Sequence, residues 1–251
     1  RRRGSAWRLP IAGARASVGD SVVLGLFAAF DEGDVSARHR EAEVSGVVVG
    51  LTGEAAVGER TTLTASIAHG DYESDSSRAS LFAGQRARVR GVDSDALHLS
   101  VGLRHDVVKE KDRGFSPYLE FRYTDASTDA FAEAAPTFDR LAVEGVDYTS
   151  LEGELGARGY IMVTEKFGFH GQLAVAQEFG DDTTDVHARL ANGGQRFTVR
   201  SEGFGETAVS AGLGVSYDAT DRLRLGAGVK AGLVTEADTA VNYHVGGSFR
   251  F

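Results

Sequence analysis

The chain has 251 residues, a formal net charge of −9, 32 Gly, three Pro and no Cys. The negative charge argues against nucleic acid as a partner, and the lack of Cys excludes disulfides and Cys-based metal sites. The longest apolar run, residues 22–30, has nine members, far short of the roughly 20 that a membrane helix requires.

Segments with a period of two follow one another along the chain. This period predicts β-strands with one apolar and one polar face. The pattern is clearest in residues 97–104, LHLSVGLR. The predicted strands are 7–17 (broken by Pro10), 21–30, 41–57, 62–72, 92–107, 115–124, 147–163, 167–179, 204–217, 222–234 and 241–251.

The connections between these strands alternate between short and long. The short ones are 18–20, 58–61, 108–114, 164–166 and 218–221, and the long ones are 31–40, 73–91, 125–146 and 180–203. Membrane β-barrels have short periplasmic turns and longer outside loops, which matches this alternation. The polar faces also carry charges at mid-strand, where a small soluble barrel would need a packed apolar interior. The sequence therefore predicts an all-β, transmembrane, antiparallel up-and-down β-barrel.

The predicted strands number eleven, whereas single-chain bacterial barrels have an even number. If the last strand ends in the periplasm, the strand at 7–17 runs inward, and an outward-running first strand must precede it. We expect a barrel of twelve strands, with the first strand lying upstream or reduced to the Arg-rich stub at 1–3. Residues 1–251 are then one barrel domain that is truncated at its N-terminus.

The polar strand faces supply a predicted lumen lining of both charge signs. One interpretation is hydration and mutual ion pairing within a polar lumen. The other is a channel lining that holds a passing segment without sticking to it, and the mixed signs argue against strong ion selectivity. The predicted lining residues are Arg104, Glu120, Arg122, Glu152, Glu154, Arg158, Gln172, Arg222, Arg224, Lys230 and Arg250.

Catalytic and metal-binding interpretations rest on weaker patterns. A phospholipase-type or omptin-like barrel needs His beside Asp near the outer rim, and His69 with Asp71 or His187 with Asp185 would serve. Seven His among many Asp and Ser supply such pairs by chance. The acidic loop residues Asp181, Asp182 and Asp185 could bind Ca²⁺ or cations that bridge lipopolysaccharide, although a solvated loop explains them better. The predicted lumen histidines 98, 170 and 244 lack metal-ligand spacing, and the sequence predicts no cofactor.

Several stretches in order resemble one family, the C-terminal β-domain of type V autotransporters. The resemblance covers residues 20–34 (DSVVLGLFAAFDEGD), 117–123 with 131–133, 150–158 (SLEGELGAR), 172–199, 210–215 (SAGLGV) and the ending Phe249-Arg250-Phe251. The family's first strand and its pore-threading helix have no counterpart here. Nothing matches the Asn-containing linker that some members cleave, so self-cleavage stays open.

The resemblance implies an outer-membrane translocator that helps to secrete its own N-terminal passenger and then anchors it at the cell surface. It implies no catalysis by the barrel. The partners that it implies are the passenger, the outer-membrane assembly machinery, and lipid with lipopolysaccharide. It also implies that the barrel is a monomer. The last strand then carries a C-terminal assembly signal at Tyr243, Val245, Phe249 and Phe251. The alternative is a barrel without a passenger, either a porin or a hydrolase of the phospholipase or omptin kind.

Overall fold

The computed structural model describes residues 4–37, 39–82, 84–135, 138–180, 183–200, 207–234 and 240–249. The predictions for Phe251, Arg250 and residues 181–182 lie outside these ranges. The described residues contain no helix with the length and hydropathy of a membrane span. The strands are β1 (Gly4–Arg8), β2 (Ile11–Val18), β3 (Val22–Ala37), β4 (Arg40–Ala56), β5 (Thr61–Ala79), β6 (Arg86–His105), β7 (Val108–Lys109), β8 (Arg113–Thr128), β9 (Phe131–Ala132), β10 (Leu141–Val143), β11 (Val146–Met162), β12 (Phe167–Glu178), β13 (Asp185–Leu190), β14 (Phe197–Arg200), β15 (Thr207–Asp218), β16 (Leu223–Val234) and β17 (Ala240–Phe249).

The long strands form one antiparallel sheet in which each strand pairs with its neighbour in the chain. The order is β1-β3-β4-β5-β6-β8-β11-β12-β15-β16-β17, with β2 also on β3 and β7 on β8. Because β1 and β2 pair with successive parts of β3, they act as one edge strand interrupted at Pro10. The Pro10 carbonyl still accepts a hydrogen bond from the Phe30 amide at 3.1 Å. Proline lacks the N–H that a ladder needs, so an edge strand is where it is tolerated.

Eleven long strands result, and the predicted all-β up-and-down fold is confirmed. Among the described residues, β17 and the β1–β2 edge have a strand partner on one side only. The twelfth strand remains a prediction. A new strand seated between these two edges would satisfy both rows of backbone groups.

The sheet is strongly curled. The rings of His170 on β12 and His244 on β17 lie 6.4 Å apart although two strands separate them in the sheet. A single cavity is lined from β6 at one extreme to β17 at the other. We call the concave side of the sheet the inner face and the convex side the outer face.

The outer face is apolar along its middle. Facing positions on successive strands form a row whose members are between 37% and 60% exposed, and no large side chain in the described ranges is fully buried. Burial of apolar surface is the main favourable term in folding, so this chain gains it only when lipid covers the outer face. The row consists of Leu26, Leu51, Ile67, Leu99, Tyr123 and Leu151.

Two of the four long connections predicted from the sequence are wrong. Residues 31–37 and 40 belong to β3 and β4, and residues 73–79 and 86–91 belong to β5 and β6. The apolar alternation stops at residue 30 and residue 72, but the backbone ladder continues into water with polar side chains on its outer face. The amphipathic pattern therefore marks where the membrane ends, and the strands extend beyond it.

The other two long connections form a small second sheet, β14-β13-β10-β9, which we call the outer sheet. Arg78 at the end of β5 holds it. Its Nε and Nη2 donate to the two carboxylate oxygens of Glu133 at 2.6 Å each, and its Nη1 lies 3.4 Å from Asp139 Oδ2. The three side chains are 17%, 9% and 8% exposed. Asp139 also accepts from the Ser80 hydroxyl at 2.9 Å and the Leu81 amide at 2.8 Å.

Candidate functional site

The centre of the inner face is an ion-pair cluster around Arg122 of β8. The register places Arg122 opposite Glu152 of β11, and Glu120 opposite Glu154. Arg122 Nε donates to Glu152 Oε1 at 2.9 Å, and Nη2 donates to Glu154 Oε2 at 2.7 Å and also contacts Glu152. Its Nη1 lies 3.8 Å from Glu120 Oε1. One guanidinium thus serves three carboxylates, of which Glu154 is only 5% exposed and requires such partners.

Tyr118 connects this cluster to the next strands. Its hydroxyl donates to Glu154 Oε1 at 2.6 Å and accepts from Gln172 Nε2 of β12 at 2.7 Å. The Arg158 guanidinium lies over the Tyr118 ring, 4.3 Å from its centroid, a cation–π contact. The ring lies over Gly156 of the neighbouring strand, where a Cβ would meet the phenol at 2.5 Å. Glycine at this position lets the ring lie flat across the strand.

The short-turn end of the inner face is mainly cationic. Arg104 Nε lies 3.6 Å from Asp106 Oδ1, and Lys109 Nζ lies 3.8 Å from Asp106 Oδ2. Asp106 also accepts a hydrogen bond from the Ser116 hydroxyl at 2.8 Å. Arg158 and Gln172 face each other across β11 and β12, and both line the same cavity of about 530 Å³ as Arg104 and Lys109.

Of the remaining predicted lining residues, Lys230 joins this cavity, whereas Arg222 and Arg224 do not line it. Lys230 faces Gly212 on β15 and lines the cavity. Arg224 is near the end of β16 and donates to both carboxylate oxygens of Asp218, at 2.5 and 2.9 Å. The strand begins at Leu223, so Arg222 belongs to the preceding turn and not to the strand face that the sequence suggested.

The side chains of the described part of the predicted assembly signal are exposed. Tyr243 is 81% exposed, Val245 is 87% exposed and Phe249 is 55% exposed, all on the last strand. Their role as a signal stays a prediction.

The two His–Asp pairs have ordinary partners. His69 Nε2 lies 3.2 Å from Asp71 Oδ1 on an exposed strand face. His187 Nδ1 is 2.8 Å from the Thr198 hydroxyl, and Asp185 is engaged by Arg200, whose Nε and Nη2 donate at 2.8 and 3.1 Å. These bonds hold the pKa of the Asp185 carboxyl below its usual range. Within the described ranges, no three His, Asp or Glu side chains are grouped to hold a metal ion.

Sequence reasoning missed two features, Tyr118 as the link between strands and the Arg78 cluster. Tyr118 alternates in the sequence with the apolar residues of its strand, which places it on the polar face together with Glu120 and Arg122. This alternation was the signal that could have pointed to it. Arg78 and Glu133 are 55 residues apart in segments that look like solvated loops. Nothing in the local pattern connects them.

An antiparallel curled sheet with an apolar outer face and a charged inner face defines the class of transmembrane β-barrels. The fold is similar to three solved autotransporter domains. For the translocator domain of NalP from Neisseria meningitidis, the TM-score is 0.82 at 17% identity, covering 98% of this chain and 82% of that one. For the transport unit of AIDA-I from Escherichia coli, it is 0.72 at 11% identity, covering 98% and 83%. For the β-domain of the Bordetella autotransporter BrkA, it is 0.68 at 16% identity, covering 98% and 92%.

The sequence itself matches the family model of the autotransporter β-domain over residues 11–230. The chain therefore belongs to the autotransporter β-domain family, and the resemblance drawn from its motifs is confirmed. Domains of this family are integral to the outer membrane, which places this chain there as an outer-membrane translocator barrel. Among curated protein sequences, none matches the chain.

Proposed function

We propose that the barrel takes part in moving its own upstream passenger across the outer membrane and then anchors that passenger at the cell surface. The observation that carries the proposal is the inner face, where charges are held in mutual pairs next to small residues. Arg122 with Glu152 and Glu154 is the clearest case. Because their charges are satisfied by each other, these groups offer few strong contacts to a passing peptide.

The same proposal assigns the predicted partners. The apolar outer face contacts lipid, and the extended ends of β3 to β6 reach the lipopolysaccharide layer. The last strand is delivered to the outer-membrane assembly machinery. We propose that the barrel works as a monomer and that residues 1–251 act as one domain. No catalysis is required of the barrel, and any enzymatic activity resides in the passenger.

The test is surface display from the full-length protein in Gram-negative cells, with an epitope tag in the upstream segment. Protease added to intact cells is expected to remove the tag while a periplasmic marker stays protected. Leu51→Arg, which disturbs the lipid-facing side of the barrel, serves as the reference for a tag that stays protected because the barrel is poorly inserted. A tag that stays protected, with the barrel correctly inserted in the membrane, would refute the proposal.

The alternative without a passenger is a porin or an outer-membrane hydrolase. The fold is also similar to the CymD monoaromatic hydrocarbon channel, with a TM-score of 0.57 at 11% identity. Steady conductance in planar bilayers without any displayed passenger would favour the porin. Lipase activity that disappears in His69→Ala or His187→Ala would favour the hydrolase.

A further inference from the structure

Three arginines occupy alternate positions at the outer end of β6, in the sequence RARVR. They are Arg86, Arg88 and Arg90. Arg86 Nη2 donates to Glu41 Oε2 at 3.0 Å and to the Ser77 hydroxyl at 2.7 Å. The other two side chains are exposed, and within the described ranges they form no ion pair. Two guanidinium groups are therefore available to a partner outside the chain.

These side chains lie on the outer face of the sheet. Arg88 is opposite Ser77 of β5. Ser77 is ten residues from Ile67, a member of the apolar outer row, and the register of β4 with β5 continues without a shift between them. An even separation along a regular strand keeps two residues on the same face. Arg88 therefore points in the direction in which Ile67 meets lipid.

A β-bulge gives the arginines this direction. The pairing of β6 with β5 shifts between residues 74 and 76 of β5, and Gly91 at the shift has a positive φ of 62°. Without the shift, Arg88 would point to the inner face, because it is an odd number of residues from Leu99 of the outer row. The extra residue of a bulge re-aims the side chains beyond it. The inner side is left to Val89, which is 7% exposed.

The arginines stand above the membrane on a fixed backbone. Arg88 pairs with Ser77, and on its other edge its amide and carbonyl bond to Ala134 at 3.0 and 2.8 Å. Ser77 lies six residues beyond Asp71, where carboxylates first appear on the outer face of β5. At about 3.4 Å per residue and a strand tilt of about 40°, this distance is roughly 15 Å above the apolar band. The arginines thus lie at the level of sugars and not of acyl chains.

An open pocket of about 350 Å³ is lined by the three arginines. Its lining also includes Glu43 and Asp75, which face each other across β4 and β5. Arg86 and Arg88 lie farther from the membrane than these carboxylates. An anionic group that approaches from the outer side of the pocket therefore meets the arginines first. A guanidinium offers two parallel donors that match a phosphate group.

We propose that the arginines of this pocket bind the phosphorylated core sugars of lipopolysaccharide. The position selects this occupant, because the core is the anionic sugar layer that surrounds the outer face at this height. The phosphates of lipid A lie lower, at the level of carboxylates such as Asp71 and Asp95, which repel them. The inference rests on the proposed contact of β3 to β6 with the lipopolysaccharide layer, and it does not depend on secretion of the passenger.

The experiment measures binding to the purified full-length protein in detergent. The probes are rough lipopolysaccharide with a phosphorylated core, lipopolysaccharide from cells that do not phosphorylate the core, isolated lipid A, and inorganic phosphate. The wild type is expected to bind the first probe most tightly. A double variant, Arg88→Gln with Arg90→Gln, is expected to weaken that binding by about five- to thirtyfold, the effect of losing two exposed charged contacts. Its binding of the other three probes is expected to stay unchanged.

The matched control is Arg189→Gln, which removes the same charge from an exposed side chain of β13 outside the pocket. It is expected to leave all affinities unchanged. Heat modifiability on gels checks that each variant is folded, and surface display of the tagged passenger, expected to be normal in the double variant, tests the proposed function separately.

Four results would overturn the proposal. They are equal wild-type affinity for the two lipopolysaccharides, equal weakening in the control, an equal loss of lipid A binding in the double variant, and full competition by inorganic phosphate. The third would place the site at the membrane boundary, and the fourth would make it a site for free phosphate. If the double variant misfolds, the wild-type comparison of the two lipopolysaccharides decides the outcome.

Discussion

Replacing Arg78 by Met is expected to release the outer sheet from the barrel. Arg78 pairs with Glu133 and Asp139, whose side chains are 9% and 8% exposed, and its removal takes the guanidinium away from both carboxylates. Removing one partner of a buried ion pair costs about 3–5 kcal/mol. At about 1.4 kcal/mol per factor of ten, local opening becomes roughly a hundredfold to a few thousandfold more frequent. The long barrel strands do not depend on the cluster, so the loss is local.

The assay is amide hydrogen exchange and limited proteolysis of the protein in lipid. Exchange at the Leu141 amide, which donates to Glu133 Oε2 at 2.7 Å, is expected to accelerate strongly. The control is Arg113→Met, because Arg113 forms a similar pair with Glu110 at 60% and 50% exposure. An exposed pair contributes about 0–1 kcal/mol, so little change is expected. Equal acceleration in both variants, or none in Arg78→Met, would refute the reasoning that burial gives the cluster its strength.

Three further perturbations test other parts of the molecule. Phe251→Asp is expected to reduce membrane insertion while synthesis continues; an unchanged heat-modifiability gel would refute the assembly signal, and a far smaller defect would indicate only an interfacial anchor. Leu51→Arg is expected to lower the free energy of unfolding in lipid by about 2–4 kcal/mol, and the adjacent inner-face Thr52→Arg by less than about 0.5 kcal/mol; equal losses would contradict the assignment of faces. Hydrogen bonds from Arg200 lower the pKa of the Asp185 carboxyl. Their pairing therefore stabilises the contact between β13 and β14 at pH values above the ordinary aspartate pKa, and this stabilisation is lost as the pH falls through the lowered pKa. The protection of the β14 amides, measured relative to their intrinsic exchange rate at each pH, is thus expected to fall on acidification in the wild type but to be low at every pH in Asp185→Asn, and identical pH profiles would oppose this account.

The membrane-spanning part of the fold could be predicted from the sequence because lipid imposes a strict period of two. Residues 97–104 alternate between outward Leu or Val and inward polar residues, and the structure places them in β6 as expected. The short turns were also predictable, since charged and Gly-containing segments interrupt the alternation. Beyond the membrane both faces of a strand meet water, so the outer ends of β3 to β6 looked like loops.

The polar contacts were predictable only in part. The alternation of polar and apolar residues placed Arg122 and Glu154 on the same face of the sheet, but the hydrogen bond between them depends on the register of β8 against β11. The alternation within each strand does not determine the register between two strands. The Arg78 cluster depends on how two distant connections fold back on each other, and no local pattern contains that information.

The central claim is that the upstream passenger moves past the inner face, and site-specific cross-linking during secretion tests it most directly. The chain has no Cys, so a single cysteine can be placed on either face of the barrel. Gln172→Cys places it on the inner face, and Leu173→Cys places it on the outer face, where the native Leu is 60% exposed. A cysteine in the upstream segment is expected to form a disulfide with position 172 while the segment is in transit, and not with position 173. Full surface display with no adduct at 172, or with equal adducts at both positions, would contradict the account.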